Sequence, residues 1–168
     1  MDLHLYVPQY HELSFREALL ADPASMSWNR GGSGADDYDP ATGCIAFPRN
    51  VWALWYDCWI DREPERFYAY VVDGTRPVGE VCWYRDEAGA TCAGIILKAE
   101  ERGKGYCAPA LKLLAQKAFC ETDIERLEAE FSTARTAAVK GYTAAGFHVV
   151  RRGGGSCRLT LKKPSLII

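Results

Sequence analysis

One short run carries the clearest chemical signal: Arg102-Gly103-Lys104-Gly105-Tyr106-Cys107. Two glycines one residue apart let the backbone curl so that successive N–H groups point into one concavity. A helical pattern follows over about 105–119, with Leu111, Leu114, Ala115 and Ala118 on one face. The first N–H groups of a helix have no intrahelical partner, and its dipole favours an anion there. Arg102 and Lys104 add positive charge. Pro109 falls in the first turn, where its missing N–H costs little. Together these are the parts of a pyrophosphate cradle, although a short Gly-x-Gly on its own is more often an ordinary turn. A P-loop is excluded because no Gly-Lys-Ser/Thr is present. A dinucleotide-binding βαβ unit fits poorly, since the preceding strand belongs to an antiparallel meander.

Other residues could move protons. Tyr142 lies on a helical face with Ala134, Ala138 and Ala145. Glu130 lies on a short strand pattern, Leu127 to Phe131, with Glu128 on the same face, and Glu80 lies on a neighbouring strand. Seven cysteines (44, 58, 82, 92, 107, 120 and 157) are odd in number and show no Cys-x-x-Cys spacing. They read as reduced, mostly buried small hydrophobes rather than metal ligands, so no metal is expected. Neither Cys107 nor Cys120 has a histidine nearby in sequence to activate it as a nucleophile.

The elements that would position these groups follow from periodicity. Residues 2–8 read as a strand closed by Pro8, about 11–20 as a helix, 29–43 as a loop, and 49–62 as an aromatic helix. Then come strands at 67–72, 78–83 and 90–97, turning at Asp73-Gly74 and at 86–89. After helix 105–119, strand 127–131 leads into a helix over about 134–145, ended by Gly146. The chain closes with a hairpin, 147–151 and 157–162, around Gly153-Gly154-Gly155.

A chain of 168 residues, 48% apolar, supports one ordinary core. It has no run of 18 apolar residues and no basic leader before an apolar stretch, so a cytoplasmic protein without a membrane partner is expected. Net charge is −2, but residues 1–66 hold five basic and eleven acidic side chains, whereas 67–168 hold fifteen and eleven. The second part suits an anion and the first a cation. The basic residues are too sparse for a nucleic-acid partner. Asp36, Asp37 and Asp39, with Trp28, Tyr38, Trp52, Trp55 and Trp59, mark the side expected to meet a positively charged amine. The tryptophans at helical spacing read more readily as core, and such an aspartate cluster is most often a solvated turn.

Taken with these elements, the chain resembles the GCN5-related N-acetyltransferases (GNAT family). That family's cofactor motif, Arg/Gln-x-x-Gly-x-Gly/Ala after its fourth strand, is similar to Arg102 through Cys107, with Cys107 in place of the final small residue. Its second motif is similar to Arg135, Ala138, Tyr142, Gly146 and Phe147, with Arg135 where asparagine is usual. The likeness covers about 65–160 well and the first 65 residues only in outline.

The resemblance implies an α/β (α+β) fold of GNAT type: a central mixed, mostly antiparallel, twisted sheet of about six or seven strands flanked by about four helices. It implies one N-acetyltransferase domain over 1–168, with 1–65 as a variable acceptor side and 66–163 as the acetyl-CoA-binding core. The implied reaction is direct transfer of acetyl from acetyl-CoA, the cosubstrate, to a primary amine of a small molecule or peptide. The backbone of Ile95 and Leu97 would pair with the pantetheine arm. Arg102, Gly103, Lys104, Gly105, Tyr106, Cys107 and Arg135 would hold the rest of the cofactor. Tyr142 would protonate the thiolate, since a phenol with a pKa of about 10 carries its proton at neutral pH. Glu130 would serve as base, unless a water relay does so. A CoA- or acyl-CoA-binding regulatory module without turnover is the alternative. Either a monomer or a homodimer is compatible, the latter through a strand edge or the tail Leu166-Ile167-Ile168.

Overall fold

Alternation along the strands explains which of them lie at the centre. In the computed structural model, which describes residues 1–34 and 36–165, every residue from Phe67 to Val72 is buried. A strand buried on both faces reads as a continuous apolar run. This strand, β2 (Arg66–Asp73), sits inside a seven-stranded sheet. The others are β1 (Leu3–Tyr6), β3 (Arg76–Arg85), β4 (Thr91–Leu97), β5 (Arg126–Ser132), β6 (His148–Gly153) and β7 (Ser156–Lys162). Their order is β1-β2-β3-β4-β5-β7-β6, antiparallel throughout except for the parallel pair β4–β5.

Among the described residues five α-helices accompany the sheet: α1 (Ser14–Ala21), the single turn α2 (Pro23–Met26), α3 (Arg49–Trp59), α4 (Cys107–Glu121) and α5 (Thr136–Ala144). This is the mixed sheet expected from the sequence, with one more short helix. Helix α4 buries Ala110, Leu111, Leu114, Ala115, Ala118 and Phe119 as one stripe. They pack with α5 against Phe67, Ala69, Val71, Val81, Trp83 and Ala93 of one sheet face. The opposite face of β2 carries Tyr68, Tyr70 and Val72, which pack with Trp55, Tyr56 and Trp59. Trp52 is fully in a core with Leu13, Leu20, Met26 and Phe47. The tryptophans of α3 are therefore core residues.

Strand β5 alternates differently. Leu127, Ala129 and Phe131 face the α4–α5 side, whereas Arg126, Glu128 and Glu130 face outward. No helix covers that outer side of β5, β7 and β6 among the described residues, which is why it reads as charged. Helix boundaries differ from the sequence reading by up to three residues, the largest shifts being the start of α1 and the end of α3. The 29–43 loop is more structured than expected: it begins in a 3₁₀ turn, Ser27–Asn29, and Tyr38 bridges Ile45. Among the seven cysteines only Cys157 is buried; Cys120 is exposed and the others are half-buried. The expectation of mostly buried thiols is corrected on this point, because several lie on the outer sheet face or on a helix flank. The tail 166–168 lies outside the described residues. No described helix is long and apolar enough to cross a membrane.

Candidate active site

The parallel pair β4–β5 touches in register only at Cys92 and Glu128. Both strands run on past that bridge, to Leu97 and to Ser132, without pairing again. The Lys98 N–H donates to the Val78 carbonyl (3.0 Å), so alternation turns Ile96 and Gly94 toward β3. Ala93, Ile95 and Leu97 then turn their N–H and C=O groups to the open side. A cleft of about 270 Å³ fills the divergence, with Glu80, Ile95, Phe131, Arg135 and Tyr142 in its walls and Trp28 at its edge.

Tyr142 reaches this opening from α5. Its hydroxyl donates to the Ala93 carbonyl (3.2 Å), and its ring rests between Phe131 and Phe147, 5.2 and 5.0 Å away. Burial, at 5% exposure, raises its pKa above the ordinary phenol value. The helix that carries it ends at Gly146, whose φ of +105° permits the left-handed turn. The N–H of Phe147 closes on the Tyr142 carbonyl (3.0 Å).

The anion loop lies at the open end of β4. Gly103 and Gly105 adopt φ of +74° and +85°. Among the described residues, the backbone N–H groups of Gly103, Lys104, Gly105, Tyr106, Cys107 and Ala108 have no protein acceptor. The side chains of the loop are less free than the sequence suggests. Arg102 donates to the carbonyls of Ala24 (3.1 Å) and Ser25, which ties α2 to the loop. Lys104 leans on the buried carboxylate of Glu101 (3.1 Å), which also pairs with Arg76. The Tyr106 hydroxyl donates to Asp73 (2.6 Å) at the β2–β3 turn. What the loop offers an anion is therefore mainly its backbone, a feature invisible in residue types. Cys107 points its side chain at α5: a Cβ built on Gly141 would lie 2.5 Å from Cys107 Sγ. The larger residue on α4 and the glycine on α5 fit one another.

Glu130 lines the cleft but accepts from Arg158 (3.1 Å), Arg151 (3.2 Å) and Ser156 (3.3 Å). The Arg158 hydrogen bond holds its carboxyl below the usual carboxylate range. Glu80, across the cleft, accepts from Arg16 (2.5 Å) and from the Tyr68 hydroxyl. Arg16 is buried among Phe47, Trp55 and Tyr68, 5.0, 4.6 and 5.1 Å from their ring centres. This network joins residues 64 positions apart, so no local pattern announces it. Arg135 stacks between Trp28 and Phe131, 4.8 and 5.3 Å from the ring centres. Burial and the nearby Arg102 charge hold its guanidinium below the ordinary arginine value. Trp28 was legible only as one aromatic among several.

The acidic cluster does not meet the cleft. Asp39 caps its own turn through Ala41 N–H (3.0 Å) and Thr42 (2.7 Å), and Asp37 lines a separate depression with Tyr38 and Asn29. Asp39 thus fits the reading of this cluster as a solvated turn rather than as a surface that draws the acceptor. Among the described residues no group of three His, Cys, Asp or Glu is arranged to hold a metal.

The chain resembles known proteins in both sequence pattern and shape. The profile of the acetyltransferase (GNAT) domain matches residues 5–148. No curated protein matches. Among solved structures, a spermidine N-acetyltransferase from Vibrio cholerae in complex with CoA and spermine superposes with a TM-score of 0.73 at 16% identity, covering 96% of this chain and 95% of that one. AAC(6')-Ib in complex with ribostamycin and coenzyme A gives 0.72 at 14%, covering 97% and 94%. The N-acetyltransferase PseH of Campylobacter jejuni in complex with acetyl coenzyme A gives 0.55 at 15%, covering 68% and 77%. At such identities the structural likeness speaks to the fold, and the profile match over most of the chain to the family. The chain belongs to the GNAT acetyltransferase family and is an acetyl-CoA-dependent acetyltransferase.

Proposed function

We propose that the protein transfers acetyl from acetyl-CoA to a primary amine by direct attack within a ternary complex in the β4–β5 cleft. The observation that carries this reading is the opening itself: a half-unpaired strand edge, a loop of free amides at one end and a buried tyrosine hydroxyl between the walls. The pyrophosphate of CoA sits on the N–H groups of 103–108. Its pantetheine arm lies along β4 as a further strand, hydrogen-bonded to Ile95 and Leu97. An N–H on the open side of β4 polarises the thioester carbonyl.

Tyr142 supplies the leaving group's hydrogen bond, its one O–H proton turning from the Ala93 carbonyl to the sulfur. With its pKa raised above that of a thiol at about 8.5, full proton transfer is uphill, so the hydroxyl stabilises the thiolate as the C–S bond breaks. The amine's protons leave through water. Glu130, held as an anion by its arginines, is a weak base and orients that water rather than taking the proton itself. Residues 1–65 wall the acceptor side through Trp28 and the Arg16–Glu80 network.

A thiol-release assay across a panel of amines tests the reading. Tyr142→Phe is expected to lower kcat by about 10²-fold, within the usual range for proton-transfer groups, with CoA affinity little changed. Full activity in that variant would remove Tyr142 from the chemistry. Tight CoA binding with no turnover of any amine would instead favour the regulatory module.

A further inference from the structure

The charges around the cleft are unusual for a site that accepts a cation. Both carboxylates in its walls are already engaged: Glu80 with Arg16 and Tyr68, and Glu130 with Arg158, Arg151 and Ser156. Beyond Glu130 the uncovered face of β5, β7 and β6 continues the same balance. Register and ion pairs place Arg126, Arg151, Arg158 and Lys162 there against Glu128 and Glu130. A polycation approaching this side finds cations in excess and no free carboxylate in the cleft.

Arg135 is the converse. It lines the cleft with Tyr142 and is half-buried between two aromatic rings. It makes no side-chain hydrogen bond or ion pair among the described residues. A partly desolvated guanidinium held flat by aromatic faces presents its in-plane N–H fork to a carboxylate or phosphate. In the pose proposed above, the pyrophosphate of CoA sits on the amides of the 103–108 loop, and the pantetheine arm that runs through the cleft past Arg135 carries no charge.

We propose that the acceptor is an amine that carries its own acid group, a carboxylate or a phosphate, and that the unpaired Arg135 guanidinium takes that group. This rests on the acetyltransferase reading above and shifts Arg135 from the cofactor, where the sequence places it, to the acceptor. The Arg16–Glu80 pair contributes by leaving the opposite wall neutral. The acid group on the acceptor then fixes its orientation, with the amine directed toward the thioester beside Tyr142.

Matched acceptor pairs test this on the full chain. Each pair shares the amine and differs in the acid: amino acids against their amides, ω-amino acids against alkylamines, glucosamine 6-phosphate against glucosamine, and phosphoethanolamine against ethanolamine. Spermidine and ribostamycin are included. At least one acid-bearing member is expected to be acetylated with kcat/KM ten-fold or more above its partner, and above both polycations. The carboxylate and phosphate arms show which acid is used. Arg135→Gln is expected to remove that preference, lowering kcat/KM for the acid-bearing member ten-fold or more, while the calorimetric Kd for CoA stays within about three-fold. Arg135→Lys should restore part of it. Better turnover of a polycation, no turnover of any acid-bearing amine while CoA binds, or a ten-fold loss of CoA affinity in Arg135→Gln with the preference intact would each overturn the proposal. Failure of the native chain to bind CoA would overturn the reading beneath it.

Discussion

Tyr142 places a hydroxyl at the end of a buried ring, and its surroundings make that hydroxyl hard to ionise. A phenol raised in this way keeps its proton as pH climbs past about 10, the ordinary value. The kcat of the enzyme is therefore expected to rise as the acceptor ammonium deprotonates and then hold a plateau through about pH 10. A pH–rate profile checks this, and a falling limb centred on the ordinary phenol value would contradict it. Glu130 gives the opposite case. Arg158 lowers its proton affinity, so a substitution that removes the charge has little basicity to remove. Glu130→Gln is expected to change kcat by less than about ten-fold, whereas a true general base contributes about 10²-fold or more. Steady-state kinetics at saturating acetyl-CoA distinguishes the two. The sequence marked both residues through the family resemblance, Tyr142 by the second motif and Glu130 by its place on the strand before it. It could not show that Glu130 is paired, since Arg151 and Arg158 arrive 21 and 28 residues later through the closing hairpin.

Two helices meet where the family's pattern is broken. Cys107 begins α4 and points into the space left by Gly141 on α5, the helix that carries Tyr142. In an unobstructed helix, glycine to alanine stabilises by about 1 kcal/mol. Here the added methyl would meet Cys107 Sγ at 2.5 Å and its Cβ at 3.2 Å. Gly141→Ala is expected to destabilise the native chain by about 1–2 kcal/mol, an overpacking cost. In a Cys107→Ala background the same substitution should turn neutral or stabilising. Urea denaturation of the four chains measures the sign change; equal effects in both backgrounds would mean that the helices do not meet as described. The elements themselves were readable: the buried stripe of α4, the double-sided burial of β2 and the Gly146 stop all follow from local pattern. The contact between residue 107 and residue 141 was not, because a small residue on a helix looks the same whether it faces solvent or a partner.

For the molecule as a whole, the sheet works by failing to pair. β4 and β5 are held at one bridge, then part, and the opening between them is the proposed site. The antiparallel meander of 67–97 and the closing hairpin were legible from local pattern, and the mixed sheet from the family resemblance. The divergence was not, since it depends on how β7 and β6 draw β5 away on one side while β3 holds β4 on the other. The acidic loop at 36–39 is a related case: charge in sequence gives no direction in space, and Asp39 folds back on its own turn. The claim that unites these parts is that the loop amides of 103–108 hold the pyrophosphate while β4 holds the neutral arm. Calorimetric titration with CoA and, separately, with pantetheine, which lacks the phosphates, tests it most directly. The account predicts one-to-one CoA binding at least ten-fold tighter than pantetheine, about 1.4 kcal/mol or more. It also predicts that Gly103→Ala/Gly105→Ala, which disfavours the left-handed turn, erases most of that difference. CoA that fails to bind, or that binds no better than pantetheine, would contradict it.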